Sequence, residues 1–329
     1  ERLAYFKDRA YAEKLKALRQ DLAAFNVHYD NWFSERTLHP DAIRAACDEL
    51  KKRGKAYEKD GALWLKSTDY GDDKDRVIIR DNGVPTYLAA DIAYHKNKYE
   101  RGFRKMINIW GADHHGYVAR VKASMAALGY DPSQLEVLLL QMVSLFRDGK
   151  PVKMSKRTGQ AITLNELIEE VGTDAARYFF IMRSLDTQLD FDLDLAKSHS
   201  NENPVYYIQY AHARIYSIYK QIEEAGGTIP EDWSDVVWDT LQEPQELELI
   251  KKMAAFPEEI QIAARERAPH RIAHFAHELA SLFHNFYNHC HVIQSDKDLE
   301  KARLALVTAV RITIAGCLAI LGVSAPEKM

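Results

Sequence analysis

Cysteine is scarce in this 329-residue chain, and its three copies, Cys47, Cys290 and Cys317, lie far apart. That count and spacing exclude a disulfide framework and a cysteine zinc pattern, and suit reduced thiols of an intracellular protein. Proline is sparse too. Its ten copies, with 28% charged and 47% hydrophobic residues, argue against general disorder and for sizeable buried cores. Neither sign of charge dominates: the formal net charge is −4, so a nucleic-acid partner would have to meet a locally basic face. Long uninterrupted apolar runs are missing. The tract from Leu304 to Val323 is broken by Arg311 and reads as too polar in its first half to cross a membrane. No signal-peptide pattern, internal repeat or low-complexity segment is visible, and the length favours two domains over one. Because residue 1 is Glu and the first residues already read as helix, we expect the chain to begin inside a larger protein.

What is present changes period along the chain. Leu3, Phe6, Tyr11, Leu15, Leu18, Leu22 and Phe25 predict an amphipathic helix over 1–26, and a second helix is expected from Pro40 to Lys52, stopped near Gly54. Ala62–Leu65 and Arg76–Arg80 read as strands, with Asp81-Asn82-Gly83 turning into a further extended stretch, Val84–Leu88. Lys105–Trp110 reads as a strand, then a glycine turn, then a helix stopped by Gly129. That order is half of a nucleotide-binding α/β unit. Leu135–Phe146 adds an apolar strand region. Thr163-Leu164-Asn165-Glu166 fits a capping box, with the helix ending at Gly172. From about residue 204 the pattern is helical throughout, with segments around Val205–Ile222, Leu247–Arg267, Ile272–Phe286 and Leu299–Leu321, as in an all-helical bundle.

Four clusters carry chemistry. Lys153-Met154-Ser155-Lys156-Arg157-Thr158-Gly159 gathers cations around a small hydroxyl residue and a closing glycine, a composition suited to polyphosphate, although a solvated turn is the plainer reading of a Lys/Arg run. In Gly111-Ala112-Asp113-His114-His115-Gly116, a carboxylate just past a strand is placed to accept hydrogen bonds from ribose hydroxyls; a metal site is the weaker alternative. Tyr87 and Asp91 flank an expected strand end, where an anionic Asp91 could pair with a guanidinium; simple packing or helix capping is the other reading. The irregular spacing of the acidic run Asp69–Asp75 does not match the glycine position and final glutamate of a calcium loop, and the run reads as a solvated loop. The histidines from His270 to His291 read as surface or partly buried side chains, since no carboxylate or cysteine set closes around them.

Taken in order and spacing, Tyr87–His95, Trp110–Tyr117, Lys153–Gly159 and Asn203–Arg214 resemble bacterial arginyl-tRNA synthetases of class I, over essentially the whole chain. The resemblance implies the second half of a Rossmann-like α/β catalytic domain within 1–150, a linking segment with the lysine loop at 151–203, and an all-α anticodon-binding domain at 204–329. It implies that Tyr87, Asp91 and His114 bind L-arginine and that Gly111, Asp113, Met154 and Ser155 bind ATP. Lys153 and Lys156 would act on the phosphates, and Tyr206, Tyr207, Tyr210 and Arg214 would meet arginine tRNA. ATP would come with Mg2+, no structural metal is implied, and the full-length protein would be a cytoplasmic monomer with no membrane contact.

One departure stands out. The family's His-x-Gly-His element occurs nowhere in these 329 residues, nor does the domain that meets the tRNA elbow, so we expect this chain alone to form no adenylate. Two rivals are kept. Another nucleotidyl-transfer enzyme would leave Tyr87, Asp91 and the helical tail without a role, whereas a noncatalytic tRNA-binding module would bind tRNA without exchange activity.

Overall fold

A computed structural model describes residues 2–152 and 162–329. The chain forms two compact units: a smaller one of Tyr29–Met142 with Leu185–Thr187, and a larger one of Glu1–His28, Val143–Ser184 and Gln188–Met329. These units cut the chain by compactness, whereas the intervals 1–150, 151–203 and 204–329 are those the resemblance implies. The first helix, α1 (Arg2–Ala24), has no Gly or Pro to interrupt it. Most of its apolar stripe is uncovered, with Leu3 83% and Phe6 58% exposed and only Leu15 and Leu22 partly covered, so the expected amphipathic helix forms with no fully buried residue.

In the smaller unit, α2 (Asp41–Lys52) buries Ile43, Ala46, Cys47 and Leu50, the i, i+3, i+4, i+7 stripe of a helix, and the chain leaves through Gly54 at φ +70°. Strands β1 (Ala56–Lys59), β2 (Ala62–Leu65) and β3 (Arg76–Ile79) make an antiparallel sheet. The first of these strands was not expected. Its signal was the Asp60-Gly61 pair, both at positive φ (51° and 76°), which closes a two-residue hairpin between Lys59 and Ala62. The extended stretch Val84–Leu88 is corrected: only Pro85 bridges to Ile79, and Tyr87 opens a helix, α3 (Tyr87–Glu100). The Thr86 hydroxyl donates to the carbonyls of Val77 and Ile78, and its N–H to that of Ile78, which anchors the start of α3 to β3. Then β4 (Met106–Gly111), α4 (Val118–Ala127) and β5 (Leu135–Leu140) form the expected strand–helix–strand unit, with the two strands parallel. Ile92, Val121, Met125 and Leu135 form its core, while Ile107 and Ile109 on β4 stay 41% and 65% exposed.

In the larger unit, the remainder of the expected Leu135–Phe146 strand region is a separate strand, β6 (Val143–Arg147). It pairs with β7 (Lys150–Pro151) across the Asp148-Gly149 turn and with the parallel β8 (Leu189–Asp192). Helices α5 (Leu164–Val171) and α6 (Thr173–Ile181) follow, the first opened by the anticipated capping box: Thr163 Oγ1 accepts from the Glu166 N–H, and Glu166 from the Thr163 N–H. Strand β8 lies among the acidic residues Asp190, Asp192 and Asp194, with Leu189 and Phe191 buried and Asp190 and Asp192 exposed. A short α7 (Leu193–Lys197) leads into α8 (Pro204–Glu224). The helix expected over Leu247–Arg267 is two, α9 (Pro244–Ala254) and α10 (Phe256–Glu266), separated at Ala255 ahead of Pro257. The bundle closes with α11 (His270–His289) and α12 (Lys297–Leu321) around Ile208, Ile215, Leu279, Phe283, Val310 and Ile314. On length and composition α12 could cross a membrane, contrary to the reading of its first half as too polar. Here its Ala302, Leu306, Val307 and Val310 pack into the core. All three cysteines are buried.

Asn203 holds the start of α8. Its Oδ1 accepts from the N–H groups of Val205 and Tyr206, and its Nδ2 donates to the carbonyls of Ala196 and Ser198 at 3.1 and 2.8 Å, all at 3% exposure. Asn203→Ala is therefore expected to cost about 2 kcal/mol, the lost cap plus two stranded carbonyls. Asn203→Ser, which keeps the cap alone, should cost about half as much; hydrogen exchange of the α8 amides checks both.

Candidate functional site

Tyr87, Asp91 and His95 sit one turn apart on α3 and share a face of it. Tyr87 is the first helical residue and 84% exposed. Asp91 is half-buried, and its Oδ2 accepts a hydrogen bond from the Tyr117 hydroxyl at 2.7 Å. Tyr117 ends the tight 3-10 turn Ala112–Tyr117 that follows β4, so this bond ties the glycine turn to α3. Burial, reinforced by the Asp91 carboxylate, pushes the Tyr117 phenol well above its ordinary range. A Cβ at Gly111 would stand 2.6 Å from Asp113 Oδ1, so a larger residue there would turn the exposed Asp113 carboxylate aside. The Asp113 and His114 side chains are 77% and 60% exposed, and His114 lies edge-on to Trp110 at 6.4 Å.

Behind Asp91 lies a buried polar chain. The backbone oxygen of Asp91 can only accept, so His95 must carry its proton on Nδ1 and donate it there (2.8 Å). Its Nε2 then accepts from the Asn108 amide on β4 at 2.8 Å, while Lys98 approaches Asn108 Oδ1 at 3.5 Å and covers the Tyr94 ring at 4.3 Å. Burial pushes both His95 and Lys98 downward, toward their neutral forms. The acidic loop is not simply solvated. Asp72 is buried against Arg76, whose guanidinium holds its carboxyl far below the usual range, and Asp75 accepts from Thr68 and Tyr57. Among the described residues no set of three or more His, Cys, Asp or Glu side chains is arranged to hold a metal.

In the larger unit, the α8 residues form a packed aromatic ladder. His199, Tyr206 and Tyr210 stack in sequence at 5.5 and 6.1 Å, beside a cavity of about 530 Å³ that Thr173, Asn203, Tyr206 and Gln209 help to line. Tyr207 is half-buried against His277 and His284. Arg214 donates to the Tyr210 hydroxyl (2.8 Å) and to His284 Nδ1 (3.3 Å) and lies over the Tyr287 ring, so it is engaged within the fold. In the histidine-rich helix, His274 donates to the Met182 carbonyl and His289 to that of Asn285. Lys153, Met154, Ser155 and Lys156 lie outside the described residues.

Residues 9–184 match the family model described as the class I tRNA synthetase (R) catalytic domain, and residues 208–329 match the DALR anticodon binding domain. The chain belongs to the class I arginyl-tRNA synthetase family. It is 57% identical over 321 residues to the arginine–tRNA ligase of Moorella thermoacetica and 58% identical to that of Carboxydothermus hydrogenoformans. In each case 97% of this chain is covered, but the chain spans only 57% and 58% of those relatives' length. Its fold matches a putative arginyl-tRNA synthetase from Campylobacter jejuni with a TM-score of 0.89 at 40% identity, covering 98% of this chain and 69% of that one. The Thermus thermophilus arginyl-tRNA synthetase shares the fold, with a TM-score of 0.79 at 24% identity over 96% of this chain and 63% of that one. The architecture is thus a Rossmann-like α/β catalytic part followed by a helical anticodon-binding domain, and neither rival reading is favoured. Sequence reasoning quoted Tyr117 and His95 within the motifs but gave them no role, and missed Asn108, because their bonds join residues 26 and 13 positions apart.

Proposed function

We propose that the chain supplies the arginine pocket, the lysine loop and the anticodon-binding end of an arginine–tRNA ligase. That enzyme activates L-arginine with ATP and transfers it to the terminal adenosine of arginine tRNA. The observation that carries the reading is the Tyr117–Asp91 bond, which brings a carboxylate on α3 to the turn beyond the carboxyl end of β4, the side of a parallel sheet where ligands bind. Asp91 pairs with the guanidinium, Tyr87 and His114 border it, and Gly111 with Asp113 meets the ribose. Met154 and Ser155 contact ATP, which arrives as its Mg2+ complex, and Lys153 and Lys156 neutralise the departing pyrophosphate. Tyr206, Tyr207, Tyr210 and Arg214 serve the tRNA, chiefly by stacking. The intervals 1–150, 151–203 and 204–329 are the functional divisions, and the complete enzyme is a cytoplasmic monomer free of membranes.

The test is arginine-dependent ATP–pyrophosphate exchange with arginine tRNA present. Because no His-x-Gly-His element occurs in the sequence, this chain alone is expected to be silent. Exchange should appear when the amino-terminal part of a relative is added in trans. Exchange by the chain alone would contradict the assignment of that step to residues it lacks; silence in both mixtures would count against the ligase reading.

A further inference from the structure

We propose that Tyr117 is a positioning residue of the arginine pocket, holding one oxygen of Asp91 so that the pair presents only acceptors and prefers a guanidinium over a ureido group. The inference rests on the reading that Asp91 meets the substrate guanidinium.

A phenol carries one proton, and Tyr117 gives it to Asp91 Oδ2. What this pair offers a ligand is then the remaining Asp91 oxygen and the lone pairs of the phenol, with no donor between them. Among the described residues Asp91 Oδ1 has no hydrogen-bond partner. A guanidinium offers N–H groups throughout and satisfies such a set. A ureido side chain replaces one amino group with a carbonyl, whose oxygen, where it is turned toward this pair, would meet only acceptors and lose its partner on leaving water. The phenol is itself held: its ring lies 5.8 Å from Trp110, and the Arg120 guanidinium sits 5.7 Å from its centroid. With its acidity suppressed by burial, Tyr117 keeps the proton throughout the working pH range. A carboxylate without this bond would turn more freely about its terminal torsion, which is intrinsically broad.

Calorimetric binding of L-arginine and L-citrulline to the full chain tests this, using wild type, Asp91→Asn, Tyr117→Phe and Asp91→Glu. Asp91→Asn is expected to weaken arginine binding at least about 30-fold. Tyr117→Phe, which keeps the ring against Trp110, should weaken arginine about tenfold and lower the arginine-to-citrulline preference by a similar factor. That preference is a ratio read on one preparation, so partial unfolding cancels from it, and a purely structural role would not move it. Asp91→Glu keeps the charge but carries it past the hydroxyl and should lose the preference too, which decides the matter if Tyr117→Phe does not fold. If Asp91→Asn abolishes binding while Tyr117→Phe and Asp91→Glu keep the preference, the role of Tyr117 falls and the pocket stands. If arginine binds equally well to Asp91→Asn, or not at all to wild type, the pocket assignment falls and takes the inference with it.

Discussion

Replacing Arg303 by methionine is expected to destabilise the larger unit by about 3–5 kcal/mol. Glu246 is fully buried, and Arg303 is 7% exposed with its Nε donating to Glu246 Oε1 at 2.6 Å. The same guanidinium donates through Nη1 to the carbonyl of His291, and Glu246 uses its other oxygen to cap the N–H of Glu243 at the start of α9. Removing the arginine strands a carboxylate in the core and unpins α9 and α12 from the 290–296 connection. Desolvating two charges is itself expensive, so the pair contributes far less than its rupture costs. The double change Glu246→Leu/Arg303→Met should therefore regain most of the loss, less the capping bond. Because two units need not unfold together, the readout is hydrogen exchange of the α9 and α12 amides rather than a single melting curve. A loss below about 1 kcal/mol in the single variant, or a double no better than the single, would refute the account.

The second large effect is acid sensitivity below neutral pH. Burial, with Arg214 adding to it, pushes His284 down to about 4 from its ordinary 6.5. Its Nε2–H donates to the Tyr207 carbonyl and its Nδ1 accepts from Arg214, so a second proton would be aimed at a guanidinium. The other titratable groups around it are the Tyr207 and Tyr210 phenols, with His277 beyond Tyr207. As pH falls through 6.5 the unfolded chain takes up this proton before the fold does, so stability present above 6.5 drains away until the folded ring titrates near 4. At the bottom of that window the loss from this residue is about 2–3 kcal/mol. His95, His212 and His277 are also lowered by burial and act in the same direction. Chemical denaturation at pH 7.5 and 4.5 should show a smaller drop for His284→Gln than for wild type; parallel drops would remove His284 from the explanation.

The long periodic elements could be read in advance. Val205, Ile208, Ala211, Ile215, Ile218 and Ile222 are all buried on α8, and Thr163 with Glu166 makes the capping box that their spacing promised. Short polar strands were harder. β1 carries only Tyr57 as a strong strand former, and β8 alternates Leu189 and Phe191 with Asp190 and Asp192, which disfavour strands. The extended reading of Val84–Leu88 failed because β-branched residues before a helix look like a strand until Thr86 is seen anchored to β3. In the candidate site, local motifs pointed to Asp91 and Gly111. Tyr117, which holds the Asp91 carboxylate, and Asn108, which holds His95 behind it, reach α3 from β4 and its turn, a pairing that no local pattern encodes.

The three thiols offer a different kind of access. Cys47 lies in the smaller unit and Cys290 and Cys317 in the larger, all shut away from solvent, with burial pushing Cys47 and Cys317 up to about 12. A thiolate is the reactive form, so an alkylating reagent can modify these side chains only during a breathing event that lets water in. Timed alkylation read by mass spectrometry would turn the native cysteines into stopwatches, one in the smaller unit and two in the larger, with no label to engineer.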